Sequence, residues 1–192
     1  MKKTLIVAGV TFLLLIAGFF ALNSYIYDEK QAKGVSDYKN AEFVIDGQRI
    51  KLTNGVAEME AAPGSASKIT TRYFGNELKS DLDGDGREDV AFILTQEIGG
   101  SGIFFYAVAA LNTERGYVGS DGYFLGDRIA PQSTTLSLNP RHKYVVVFNY
   151  ADRAEGESFT VQPSIGKSAY LKLDSGRMQW GIVEPNFEGE SQ

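Results

Sequence analysis

The sequence predicts an all-β domain, either an antiparallel sandwich or a strongly coiled sheet with at most a minor helix, behind an N-terminal transmembrane helix. Three observations carry this. Short stretches of period-two alternation recur between turn dipeptides from Ala41 onward. No stretch beyond Tyr27 has a long helical apolar stripe. One uninterrupted apolar run, Leu5–Leu22, contains a single polar residue, Thr11.

The chain has 192 residues, 19 basic and 24 acidic side chains, one histidine and no cysteine. Its net charge of -5 argues against nucleic acid as a partner, since that requires a basic face. The missing cysteine excludes thiol catalysis, disulfide frameworks and cysteine-built zinc sites. The charge is unevenly spread. Met1–Tyr27 carries only Lys2 and Lys3, and every acidic residue lies at or beyond Asp28. As a helix, the uncharged residues 4–27 reach about 36 Å, enough to meet the membrane and cross it. A cleaved signal peptide is the alternative, but the run is long and its exits, Ala21-Leu22-Asn23 and Leu22-Asn23-Ser24, lack an A-x-A pattern. Residues 1–27 are therefore expected to be a signal anchor. The positive-inside bias of Lys2 and Lys3 puts the N-terminus in the cytoplasm and the domain outside.

Residues 28–40 read as a polar tether, residues 41–183 as the β-rich extracytoplasmic domain, and residues 184–192 as an acidic tail. Ala41–Ile45, Gln48–Leu52 and Val56–Met59 are expected strands, separated by Asp46-Gly47 and Asn54-Gly55, which supply the positive φ of tight turns. Lys68–Phe74, Asp89–Gln96, Ile103–Leu111, Gly116–Leu125, Tyr144–Tyr150, Ser168–Leu173 and Arg177–Val183 follow. Turn clusters fall at Pro63-Gly64-Ser65, Gly99–Gly102, Ser120-Asp121-Gly122, Asp152–Glu157 and Asp174-Ser175-Gly176. The near-continuous apolar runs Ile103–Leu111 and Tyr144–Phe148 predict central strands buried on both faces.

One segment carries chemistry, Ser80-Asp81-Leu82-Asp83-Gly84-Asp85-Gly86-Arg87-Glu88-Asp89. Carboxylates at the first, third and fifth positions of a tight loop converge on one centre. A glycine at the sixth allows the turn, the carbonyl of Arg87 adds an oxygen, and Asp89 closes the site. Four carboxylates crowded together repel unless a hard cation joins them, and an all-oxygen donor set selects calcium. The predicted ligands are Asp81, Asp83, Asp85, Arg87 and Asp89, holding a structural Ca2+. Phe92 stands where a full EF-hand has its bidentate glutamate.

The loop resembles the D-x-D-x-D-G-x-x-D loops of dockerins, thrombospondin-type repeats and FG-GAP repeats, a resemblance that implies the ion site alone. Segments Thr70–Glu77 (TTRYFGNE), Gly99–Tyr106 (GGSGIFFY) and Leu125–Gln132 (LGDRIAPQ) resemble a family of uncharacterised bacterial envelope proteins with a small β-rich exported domain. That family carries over no activity.

Weaker signals have plain structural readings. Ser65-Ala66-Ser67-Lys68 matches S-x-x-K, but it lies in a loop without the companion motifs. His142 stands between Arg141 and Lys143 with no second histidine, so it reads as a turn residue. Asp127-Arg128 and Asp152-Arg153, with Glu155 and Glu157, read as surface ion pairs before a saccharide-binding rim. Trp180 reads as core before stacking platform. The expected role is a membrane-anchored, calcium-stabilised binding or envelope-interaction module for an unidentified protein or saccharide. A hydrolase acting on cell-wall or saccharide material, and an accessory domain of another membrane protein, are the alternatives.

Overall fold

A computed structural model describes residues 35–185. The transmembrane helix expected over residues 1–27 lies outside the described residues, as do residues 28–34 of the tether and 186–192 of the tail. Among the described residues no helix is long and apolar enough to cross a membrane.

The described residues are all-β, with three antiparallel sheets and a single 3₁₀ turn at Tyr38–Asn40. Strands β1 (Glu42–Ile45) and β2 (Gln48–Lys51) form a hairpin. The largest sheet holds β3 (Val56–Glu60), β4 (Lys68–Ser80), β5 (Asp89–Glu97), β6 (Phe104–Thr113) and β7 (Gly116–Gly119) in that order, with β8 (Tyr123–Asp127) also paired to β6. Strands β9 (Ala130–Leu136), β10 (Val145–Asp152), β11 (Ile165–Asp174) and β12 (Gln179–Ile182) make the third sheet.

Alternation along β5 and β6 explains the layering. Val90, Phe92 and Leu94, with Tyr106, Val108 and Ala110, form one core with Phe43, Ile45, Ile50 and Leu52 of the β1–β2 hairpin. Ala91, Ile93, Ala107, Ala109 and Leu111 point the other way and meet Val146, Phe148, Leu171 and Leu173 of the four-stranded sheet. The central sheet is thus buried on both faces, as its continuous apolar runs require. Complete burial of a Phe such as Phe43, Phe92 or Phe148 contributes about 1.5–3 kcal/mol.

The structure departs from the expected strands in four places. The Asn54-Gly55 turn has the predicted positive φ at both residues, yet it passes the chain from one sheet to another; β2 pairs with β1 and β3 pairs with β4. Strand β4 runs on to Ser80 because an irregularity at Gly75 and Asn76, both at positive φ, absorbs the local mismatch. Ala130–Leu136, which is not among the expected strands, is β9 at the edge of its sheet, where Pro131 is tolerated. The predicted strand Gly116–Leu125 is two strands, parted at Ser120-Asp121-Gly122.

That break joins the layers. Ser120 Oγ accepts from the Ala109 N–H, Val44 N–H donates to the Ser120 carbonyl, and Asp121 N–H donates to the Met178 carbonyl. One short segment therefore bonds to β6, to β1 and to the turn before β12. Trp180 adds a link: its Nε1 donates to the Ala107 carbonyl at 3.1 Å and its ring meets Phe148 edge-on, so it serves the core. The end of the expected tether also belongs to the domain, since Val35 pairs with Tyr117 and Tyr38 packs on the aromatic core.

The surface pairs are structural. Arg128 holds Asp127, Lys167 holds Asp152 at 2.7 Å, and Lys68 holds Glu58 at 2.8 Å while Ser65 Oγ accepts from the Ser67 N–H. Burial pushes the Asp152 carboxyl up, but hydrogen bonds from Lys167 and the Arg153 N–H outweigh it and hold its pKa below the ordinary 3.8. A depressed folded-state pKa gives stability that is present above the unfolded value and lost as pH falls through the folded one. Between about pH 5 and about pH 3 the wild type is therefore expected to lose more stability than Lys167→Met. Urea midpoints check this, and equal losses would remove the pair from the acid response.

Candidate metal centre

The segment between β4 and β5 is wound around its own carboxylates. Asp81 Oδ1 accepts from the N–H of Gly84 at 2.6 Å and of Asp83 at 3.3 Å, and its Oδ2 accepts from Gly86 at 3.1 Å. These bonds, Gly84's first, hold the Asp81 pKa below the carboxylate range. Asp83 Oδ1 accepts from the Asp85 N–H, and Asp85 Oδ1 from the Arg87 N–H. Each acid thus serves an N–H further along the tight loop, which is why the Asp-x-Asp-x-Asp spacing folds this way.

Two anchors fix the loop to the domain. Leu82, the apolar residue among the acids, is buried in the core between the two larger sheets. Asp89, fully buried at the start of β5, accepts from Leu82 N–H at 2.9 Å and from Asn112 N–H at 2.8 Å. Burial pushes the Asp89 carboxyl up against the pull of those two donors, and the charges of Asp83 and Asp85 push the same way. Tyr144, the residue before β10, lies against Gly84 so closely that a Cβ there would meet its hydroxyl at 2.9 Å.

Of the predicted ligands, the structure brings Asp81, Asp83 and Asp89 together, with one carboxylate oxygen of each lying within 4.8 Å of the others. Asp85 is outside this group. Its Oδ2 pairs with Arg87 Nη2 at 2.5 Å, while Arg87 Nε donates to the Asn112 carbonyl at 2.6 Å. The Arg87 side chain thus neutralises the fifth-position acid and ties the loop to β6. The sequence reading missed the support from Asn112 and Tyr144, both distant in the chain; Leu82 was the one local sign that the loop is moored inward.

The donor set is chemically suited to a hard cation. Three carboxylates converge, one of them fully buried and raised in pKa. A divalent ion would cancel their repulsion with oxygen ligands alone. Comparisons of the chain with protein-family models, with curated proteins and with solved structures find no match.

Proposed function

We propose that the chain is a membrane-anchored extracytoplasmic β-domain that holds one structural calcium ion and works as a binding module at the cell envelope. The convergence of Asp81, Asp83 and Asp89 within 4.8 Å carries this reading. Asp81, Asp83 and Asp89 would hold the ion, and its role there is to offset their charge and fasten the β4–β5 connection. The apolar run Leu5–Leu22 and the basic Lys2 and Lys3 support the anchor and its orientation. A domain without disulfides gains from such a clamp: an ion at a hundred times its dissociation constant adds about 2.7 kcal/mol.

Thermal melts of the full-length protein in detergent test the ion. The midpoint is expected to stand roughly 5–10 °C higher in calcium than in chelator. Asp83→Asn keeps an oxygen for the Asp85 N–H but removes one charge, so it should shrink that gap and, by easing repulsion with Asp81 and Asp89, leave the chelator midpoint no lower than wild type. Coincident wild-type curves would end the calcium reading.

A further inference from the structure

The face of β9–β10–β11 turned away from the core carries a groove of about 230 Å³. Val147 and Asn149 of β10 and Tyr170 of β11 make its floor, alternating with the core residues Val146, Phe148 and Leu171. The turn between β9 and β10 forms a wall with Ser137, Asn139 and His142.

Its polar groups are held in place before any ligand arrives. Asn149 Nδ2 donates to Ser133 Oγ at 3.0 Å, and its Oδ1 accepts from Ser168 Oγ at 2.6 Å. The amide is thus fixed across three strands, with one N–H and one lone pair still to offer. His142 Nδ1 is engaged by Ser137 Oγ at 2.8 Å, and the imidazole stands edge-on to Tyr170, which orients Nε2 as the ring's remaining polar atom.

The chemistry of the lining selects the ligand. Among the described residues, no Asp, Glu, Lys or Arg lines the groove, although 22% of the chain is charged. These lining side chains offer an anion or a cation no counter-charge. Amide, hydroxyl and imidazole groups that donate and accept lie beside the apolar surfaces of Val147, Tyr170 and Pro185. That mixture matches a molecule with many hydroxyls on an uncharged carbon ring. We infer that the groove binds a neutral sugar unit of a glycan. This rests on the reading of the domain as a binding module and not on the ion.

Amide-resolved NMR of the full-length protein in detergent tests it, using maltotetraose, cellotetraose, mannotetraose and N-acetylchitotetraose. A heparin tetrasaccharide and an end-blocked tetra-alanine serve as the charged and peptide probes. At least one neutral sugar at about 10 mM should saturably shift Asn149, His142 and Tyr170, with a dissociation constant of about 0.1–5 mM. Thr135→Val, on the exposed edge strand, should weaken binding about threefold, and Asn149→Ala at least about tenfold. No shift with any neutral sugar, shifts mapped elsewhere, preference for the heparin or peptide probe, or unchanged affinity in a folded Thr135→Val and Asn149→Ala would each overturn the inference. Repeating the titration in chelator separates the two readings. Sugar binding without a calcium-dependent melt leaves the groove standing alone, and the converse leaves only the ion.

Discussion

Gly119→Ala is expected to destabilise the domain by at least about 3 kcal/mol, at the upper end of overpacking costs. A Cβ at this position would lie 2.3 Å from the Glu42 carbonyl oxygen and 2.7 Å from the Phe43 ring. Neither neighbour has room to yield. The carbonyl belongs to β1, which is bonded to β2 and to the Ser120–Gly122 segment, and Phe43 is fully buried against Phe92. Relief would require moving the whole hairpin off the central sheet and opening the core beneath it. Gly166→Ala is the matched control, because a Cβ there meets nothing within 4 Å and the site is exposed. It should stay within about 0.5 kcal/mol of wild type. Urea unfolding of both variants decides the matter, and equal midpoints would show that the hairpin docks more loosely than its contacts imply.

The second large effect is expected at Asp89. Asp89→Ala removes the acceptor for two N–H groups, those of Leu82 and Asn112, at a buried site. Each stranded donor costs about 1–3 kcal/mol, and part of that is offset because a desolvated carboxylate is also removed. A net loss of about 2–4 kcal/mol is therefore expected in chelator, where no ion contributes. In calcium the loss should grow by about 2.7 kcal/mol at saturating ion. Asp83→Asn should show only the second increment. Urea midpoints of both variants with and without calcium measure the two components separately. If the variants matched each other in chelator, Asp89 would have no structural role beyond the ion.

Strand identity was legible in the sequence wherever local chemistry sets it. The expected strand Asp89–Gln96 and the near-continuous apolar run Ile103–Leu111 became β5 and β6, and Asp46-Gly47 turns as such a dipeptide should. Pairing was not legible. Nothing in Asn54-Gly55 says that the next strand joins a different sheet, because that choice is made by Tyr73, whose N–H donates to the Gly55 carbonyl. β9 was hidden because its polar run, with Ser133 and Thr135 exposed, sits at a sheet edge and its pairing comes from β10 further along the chain. The loop's acids were readable from spacing alone. That Asp85 would turn to Arg87 was not, since it depends on the Asn112 carbonyl holding the guanidinium from β6.

Along their main paths the two larger sheets are meanders, each strand from β3 to β7 and from β9 to β12 lying beside its neighbour in sequence, while β8 returns past β7 to pair with β6. The neighbour pairings close short loops, which carry a smaller entropic barrier than the long returns of a Greek key. The fold can assemble hairpin by hairpin and then bring finished layers together. The acidic loop is the closing turn of the hairpin built on the longest strand, so repulsion among Asp81, Asp83 and Asp89 opposes an early step of that assembly. A cation in the loop would act on how fast the domain forms, and not only on how long it lasts.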